Sequence, residues 1–230
     1  MLKVGIYIFG IEFLAESGAS TWLMWLAAFS ILAASVIAMT KDNLKARLAY
    51  STISQLSYIT LGVALASSMG ILGGGLHVVM HAMGKITLFM CAGSIYVATH
   101  RTEISQMTGL GRRMPITFIA FLIGALSIIG LPPLGGSWSK WLLMVGAVDA
   151  EHLFILGVLL VSSLLNVAYL LPLVAKGFFL SNDTDAELAQ SAEASPLVWG
   201  PPAATAFGCV VLFFYAGHIQ DFLMPIVAIN

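Results

Sequence analysis

The sequence predicts an all-α integral membrane protein that crosses the bilayer about six times. Of its 230 residues, 59% are hydrophobic and only 9% are charged, whereas soluble domains carry about 25% charged residues. Six apolar segments approach or exceed the length of about 20 apolar residues that a spanning helix needs. They lie near residues 21–40, 48–69, 71–98, 115–148, 152–179 and 199–223.

The fourth segment, 115–148, is too long for one straight helix and is predicted to be discontinuous. Pro132 and Pro133 remove backbone donors and clash with the preceding turn, and Gly135 and Gly136 loosen the chain that follows. We expect one helix to end near residue 131 and the next to begin near 137. Non-helical backbone at membrane depth survives only where protein or a water-filled cavity shields it, so the break should face the protein interior.

The cations are unevenly distributed between the loops, and this predicts an orientation. The loops after the first and third segments are cation-rich, whereas the alternate loops at 69–71 and 149–151 contain no cation. The positive-inside rule places the cation-rich loops in the cytoplasm and both chain ends outside. We expect a multi-pass protein of a bacterial inner membrane. The loop cations are Lys41, Lys45, Arg47, Arg101, Arg112 and Arg113.

The composition also suggests a division of the chain. Residues 1–15 contain an apolar run too short to cross, which indicates the outer end of a truncated helix rather than a signal peptide. Residues 16–180 form the main unit, 181–198 are expected to be an acidic, solvated cytoplasmic linker, and 199–230 hold the last spanning helix and the tail. The net charge of −1 gives no reason to expect a nucleic-acid partner, and Cys91 and Cys209 are expected to be packing residues.

Two lysines, Lys85 and Lys140, lie inside apolar segments, where a charged lysine costs about 2.5–3.5 kcal/mol on insertion scales. His77, His81 and Lys85 are spaced i, i+4 and i+8, which stacks them on one helix face about 12 Å long. All three groups exchange protons, so the stripe is interpreted as a proton wire. Interhelical hydrogen bonding is the alternative for the histidines. A metal site is disfavoured because no third ligand is near and Lys85 repels a cation.

Lys140 follows the helix break and is flanked by Ser137 and Ser139. The break frees backbone groups that can bind water, so Lys140 is a candidate relay site. The alternative is that its side chain extends to the membrane surface. Other segments supply polar faces that fit a path between the two lysines or ordinary interhelical hydrogen bonds. These residues are Ser51, Gln55, Tyr58, Ser162, Asn166 and Tyr169.

Several motifs together resemble the proton-conducting antiporter family. The segment 43–55, NLKARLAYSTISQ, resembles its DIKR…AYSTISQ signature, with Asn43 where the family usually has aspartate. His77, His81 and Lys85 resemble the family's polar helix, and Lys140 resembles its key lysine in a discontinuous helix. The segments GRRMP at 111–115, IGLPP at 129–133 and SSLLNVAY at 162–169 are most similar to the large D-type subunit of Mrp-type Na⁺/H⁺ antiporters.

The resemblance implies one five-helix inverted repeat, the second of two in the family, plus a last helix. It implies Na⁺/H⁺ exchange in which protons are conducted through Lys140, Lys85, His81 and His77, with Ser137, Ser139, Gln55, Asn166 and Tyr169 in support. The implied partners are the other subunits of a multisubunit antiporter in a lipid bilayer. No metal, cofactor or catalytic residue is implied, and any redox activity would belong to partner subunits.

Two alternatives to an antiporter subunit remain open from the sequence. One is a proton-pumping subunit of a complex I or hydrogenase type, linked to NADH and quinone. The other is an inactive or structural half-subunit, since two-sided access in such folds needs both repeats.

Overall fold

A computed structural model of the chain describes residues 18–180, 192–193 and 195–227. Within these ranges the regular structure is helical, and it includes a short 3₁₀ helix, Ile104–Met107. The predicted helix end at 1–15 and most of the predicted linker at 181–198 lie outside the described residues. In chain order the helices are α1 (Ala19–Thr40), α2 (Leu44–Ala64), α3 (Ser68–Thr99), α4 (Leu110–Arg113), α5 (Pro115–Ile129), α6 (Gly136–Asp149), α7 (Leu153–Phe179) and α8 (Pro196–Val227).

The helices confirm the predicted all-α, multi-pass membrane fold. Among the described residues, α1, α3, α7 and α8 are long and apolar enough to cross a membrane. The predicted span at 48–69 is α2, which has 21 residues but buries several polar side chains. The predicted span at 115–148 divides into α5 and α6, of 15 and 14 residues. Each is about 22 Å long at 1.5 Å per residue, so neither half crosses a bilayer alone.

The break between α5 and α6 is made by glycine and proline. Gly130 ends α5 with a φ of +93°, a left-handed conformation that glycine adopts without steric cost. Its N–H donates to the carbonyl of Leu126, and so does the N–H of Leu131. Pro132 and Pro133 cannot continue the helix, and α6 begins at Gly136. The discontinuity therefore lies within two residues of its predicted limits.

Asn43 has a specific role at the start of α2. Its side-chain oxygen accepts a hydrogen bond from the backbone N–H of Ala46, at 3.0 Å, and so caps the helix. Its amide nitrogen donates to Glu103 Oε1, also at 3.0 Å. An aspartate here would cap the helix equally well but would place its carboxylate against that of Glu103. Asparagine at position 43 therefore suits the contact with Glu103 better than aspartate would.

Glycines let α3 approach α6 closely, and this approach positions the polar residues of both helices. A Cβ on Gly73 would lie 2.7 Å from the backbone nitrogen of Leu143, and one on Gly62 of α2 would lie 2.9 Å from Gly74 Cα. Helix α3 consequently packs against α2, α5, α6 and α8. Because α3 is central, its polar stripe faces neighbouring helices rather than lipid.

One part of the predicted acidic linker is docked on the helical core. The carboxylate of Glu193 accepts hydrogen bonds from the backbone N–H of Ile116 at 3.0 Å and from Thr117 Oγ1 at 2.5 Å. It therefore caps the N-terminus of α5, where the helix dipole favours a negative charge. Helix α8 begins at Pro196, three residues before the predicted start.

Gly136 is the position where α6 lies closest to α5, because a Cβ there would overlap the carbonyl oxygen of Ser127. We expect Gly136→Ala to separate the two half-helices and to lower the stability of the protein by about 1–3 kcal/mol or more. Thermal unfolding of the purified protein in detergent measures the loss. Gly157→Ala in α7, where nothing lies within 4 Å of the added Cβ, is the control and should be neutral or slightly stabilising. Equal unfolding temperatures for both variants would contradict the close approach.

Candidate functional site

Lys85 is buried in the centre of the helical core, with only 5% of its surface exposed. Its Nζ donates to Ser51 Oγ at 2.6 Å and to the carbonyl oxygen of Leu48 at 3.2 Å. Both acceptors belong to α2. The lysine of α3 is therefore held by one turn of the neighbouring helix.

Lys140 is buried at the helix break, with 4% of its surface exposed. Its Nζ donates to the carbonyl of Ile129 at 3.0 Å and to Ser163 Oγ at 3.3 Å, and it lies 5.1 Å from the centre of the Tyr58 ring. Ile129 is the last residue of α5, so its carbonyl lies at the negative end of that helix, which favours a cation. This geometry excludes the alternative in which Lys140 extends to the membrane surface.

The two histidines form a row of rings between the lysines. The centroids of the His77 and His81 rings are 5.8 Å apart, and the Tyr58 ring stacks on His77 at 5.3 Å. His77 Nδ1 lies 2.9 Å from Ser139 Oγ, and Ser139 donates its hydroxyl proton to the carbonyl of Gly136. His77 Nδ1 then donates to Ser139, and its Nε2 keeps a free lone pair that can accept a proton.

A second set of polar contacts starts from Lys85, through its partner Ser51. Ser51 Oγ lies 2.8 Å from the hydroxyl of Tyr169, which in turn donates to Asn166 Oδ1. Gln55 Nε2 donates to the same Asn166 oxygen at 3.3 Å. Hydrogen-bonded hydroxyl and amide groups thus extend from Lys85 across the interface of α2 and α7.

Six buried polar atoms in or beside these two sets have no hydrogen-bond partner within the described residues. An unpaired buried polar atom costs about 1–3 kcal/mol, and such groups are commonly satisfied by buried water that makes about three hydrogen bonds. All six belong to α2, α3 and α7. They are Gln55 Oε1, Tyr58 OH, His77 Nε2, His81 Nε2, Ser162 Oγ and Asn166 Nδ2.

The two serines that flank Lys140 in the sequence do not contact its amine in the structure. Ser139 contacts His77 rather than Lys140, and Ser137 donates to the backbone carbonyl of Leu134. The hydroxyl beside Lys140 is that of Ser163, which the sequence interpretation passed over. Its position directly after Ser162, in the SSLLNVAY segment, is the signal that could have identified it.

Arg47 also has a contact that the sequence interpretation did not anticipate. Counted among the loop cations, it instead donates through Nη1 to the carbonyl of Tyr169 at 3.1 Å and through Nε to the carbonyl of Lys41 at 2.8 Å. Pro172 lies inside α7 near this point and removes one backbone donor from that turn. Arg47 therefore ties α2 to the part of α7 that presents Tyr169 to Ser51.

Ser51 connects Lys85 to the polar residues of α7, because it contacts both Lys85 and Tyr169. We expect Ser51→Ala to leave both partners one hydrogen bond short and to lower the stability by about 1–3 kcal/mol. Ser57→Ala is the control on the same helix, since Ser57 bonds only the carbonyl of Ile53; its effect should be within about 0.5 kcal/mol. Thermal unfolding in detergent compares the two, and equal effects would contradict the shared role of Ser51.

The described residues contain no group of three or more His, Cys, Asp or Glu side chains placed to hold a metal ion. What the arrangement offers chemically is a series of proton acceptors and donors. It runs from one buried amine, through two imidazoles and several hydroxyl groups, to a second buried amine.

Comparison with known proteins gives a consistent set of relatives. The family model for the transmembrane region of NADH:quinone oxidoreductase and Mrp antiporter subunits matches residues 1–166. The chain is 39% identical over 156 residues to NADH-quinone oxidoreductase subunit N of Desulforudis audaxviator, covering 68% of this chain and 31% of the relative. It is 31% identical over 200 residues to NADH-quinone oxidoreductase subunit L of Rickettsia bellii, covering 86% of this chain and 30% of the relative.

Solved structures show the same fold. Respiratory complex I from Thermus thermophilus with bound NADH contains a chain that matches with a TM-score of 0.83 and 26% identity, over 98% of this chain and 48% of that one. The Mrp complex from Dietzia sp. DQ12-45-1b matches with a TM-score of 0.81 and 23% identity, over 98% and 51%. The chain thus spans about half the length of these structural relatives and less than a third of the two curated ones.

Proposed function

The chain belongs to the NADH:quinone oxidoreductase/Mrp antiporter family of transmembrane proteins, and we propose that it conducts protons as a membrane subunit of a multisubunit Na⁺/H⁺ antiporter. The observation that supports this function is the pair of buried lysines joined by protonatable groups. Neither lysine has a carboxylate partner within the described residues. A buried lysine that only held the fold together would be expected to have one.

In the proposed mechanism, a proton passes from Lys85 through His81 and His77 towards Lys140. The free Nε2 atoms of the histidines accept it in turn. Water bound at the six unpaired polar atoms completes the contacts that the side chains do not make directly. Lys140, at the helix break, then exchanges the proton with one side of the membrane.

Electrostatic repulsion couples the neighbouring groups of this series. Two unit charges 10 Å apart interact by about 1.7 kcal/mol at an effective dielectric constant near 20. That energy changes the protonation equilibrium of a group more than tenfold. Charging one member of the row therefore promotes release of a proton from the next, and entry of a sodium ion near the row would act in the same way.

The second candidate function is a proton-pumping subunit of a redox-linked complex. It is favoured by the names of the relatives, which are subunits of NADH-quinone oxidoreductases. The described residues would then do the same proton transfer, with the driving force supplied by electron transfer in partner subunits. In both cases we propose a bacterial inner membrane, with the cation-rich loops in the cytoplasm.

Inside-out membrane vesicles from cells that express the chain with its neighbouring gene products distinguish the two functions. A fluorescent pH indicator reports the collapse of an imposed pH gradient. For an antiporter subunit, we expect added NaCl to collapse the gradient without NADH or quinone, and choline chloride to have no effect. Gradient formation that requires NADH and is indifferent to Na⁺ would overturn the antiporter proposal in favour of the redox-linked one.

A further inference from the structure

An apolar cavity of about 650 Å³ lies beside the helix break. This volume is within the range of about 300–1,000 Å³ that is usual for sites of small organic ligands. Its walls come from the break itself and from α6, α7 and α8. The side chains that form them include Leu131, Pro132, Trp138, Leu160, Leu164 and Phe213.

The cavity opens at the surface of the described helical bundle, between exposed apolar side chains. Leu131, Trp141 and Leu164 line it and are 45%, 58% and 70% exposed. On another side the Trp138 ring packs against Phe213, with centroids 5.8 Å apart. An apolar chain dissolved in the bilayer therefore meets an opening whose rim has the same polarity as the hydrocarbon.

The inner end of the cavity is polar and includes a cationic group. Lys140 and Ser163 both line it, and Lys140 is 4% exposed. In the described part of the chain, its Nζ has a carbonyl, a hydroxyl and an aromatic ring as partners and no carboxylate. A buried ammonium group without a counter-ion is complementary to an anion of the same depth in the membrane.

The ligand that fits both ends is a molecule with an apolar chain and one acidic head group. A carboxylate is not stable in hydrocarbon, but the neutral carboxylic acid is. When Lys140 carries the neutral amine, the proton moves from the carboxyl oxygen to Nζ. The products are a carboxylate and an ammonium ion, which remain together as an ion pair with Ser163 as an additional donor.

We propose that this cavity is a binding site for a free fatty acid that enters from the bilayer and pairs its carboxylate with Lys140. Binding itself does not depend on the transport function. Its consequence does rest on the proposed function: a bound fatty acid holds Lys140 in the charged form and blocks proton exchange there.

A photoreactive palmitic acid with a diazirine in its chain tests the site in native membrane vesicles that contain the assembled protein. After illumination, mass spectrometry locates the label. We expect it on α6 and α7 at the cavity wall, and we expect excess palmitic acid to compete. Hexadecanol, which has the same chain without the carboxyl group, should compete about tenfold less well or worse.

Three variants separate a specific site from general contact with lipid. Lys140→Gln removes the counter-ion, and Leu164→Trp fills the opening; each should lower labelling about tenfold. Val161→Trp is the control, since Val161 is also exposed on α7 but does not line the cavity. Leu164→Trp changes an exposed side chain, so it is expected to fold as well as the control.

Three results would overturn the proposal. They are labelling that is unchanged in Lys140→Gln, equal competition by hexadecanol, and no labelling of the wall in the assembled complex. Because labelling requires no transport, a vesicle preparation without Na⁺-dependent exchange but with acid-specific labelling would contradict the proposed function and leave the binding site supported.

Discussion

Lys140→Ala is expected to reduce Na⁺-dependent proton exchange at least tenfold in inside-out vesicles. The amine is buried, lies at the C-terminal end of α5 and is the last protonatable group of the row at the helix break. Alanine there removes the amine that takes the proton from His77 or Tyr58 to the broken segment. A loss of this size corresponds to about 1.4 kcal/mol or more in the rate-limiting step.

The matched control for this experiment is Lys176→Ala. Lys176 lies in the last turn of α7, among the residues predicted to face the cytoplasm, and its removal should change exchange by less than about twofold. Protein amount in the membrane is measured for both variants, because a buried site can also affect folding. If Lys140→Ala is present at normal levels and exchanges normally, Lys140 is not part of the proton path.

Lys85→Arg is expected to reduce proton exchange about tenfold or more although it retains the positive charge. Arginine does not release its proton under physiological conditions, so it interrupts a relay that requires a neutral state. The guanidinium group is also larger and planar, whereas Ser51 Oγ and the Leu48 carbonyl hold a compact ammonium group at 2.6 and 3.2 Å. The same vesicle assay measures the effect.

Lys45→Arg provides the control for that substitution. Lys45 is exposed on α2 and lies over the Tyr96 ring at 5.1 Å, a contact that arginine makes equally well. Exchange in Lys45→Arg should remain within about twofold of the unmodified protein. Normal exchange in a well-expressed Lys85→Arg variant would show that Lys85 acts only as a fixed charge, and the relay from α3 would have to be abandoned.

The two lysine variants also distinguish a common path from two separate ones. If protons pass through both lysines in series, the combination of Lys140→Ala and Lys85→Arg should be no worse than the more severe single variant. Two independent routes would instead leave each single variant with the flux of the other route, and only the combination would abolish exchange. The polar contacts from Ser51 through Tyr169 to Asn166 are the structural candidate for such an independent route.

Much of the fold could be predicted because membrane helices are determined by local properties of the chain. Length and hydropathy identified the crossing segments, and Pro132, Pro133 and Gly136 marked the break within two residues. The i, i+4, i+8 spacing placed His77, His81 and Lys85 on one face, because the geometry of a single helix fixes which of its own residues share a side.

The sequence by itself therefore determined that this is a polytopic helical protein with two histidines and a lysine on one helix face and a second lysine beside a helix break. Only the tertiary structure decided which groups those side chains meet: Ser51 for Lys85, Ser163 and the Ile129 carbonyl for Lys140, and Ser139 for His77. It also decided that Lys140 is buried and that an apolar cavity ends at it. The physical reason is that contacts between helices depend on how whole helices are rotated and how far apart they lie. Close approaches at glycines in several helices set these positions together, and no local sequence pattern encodes them.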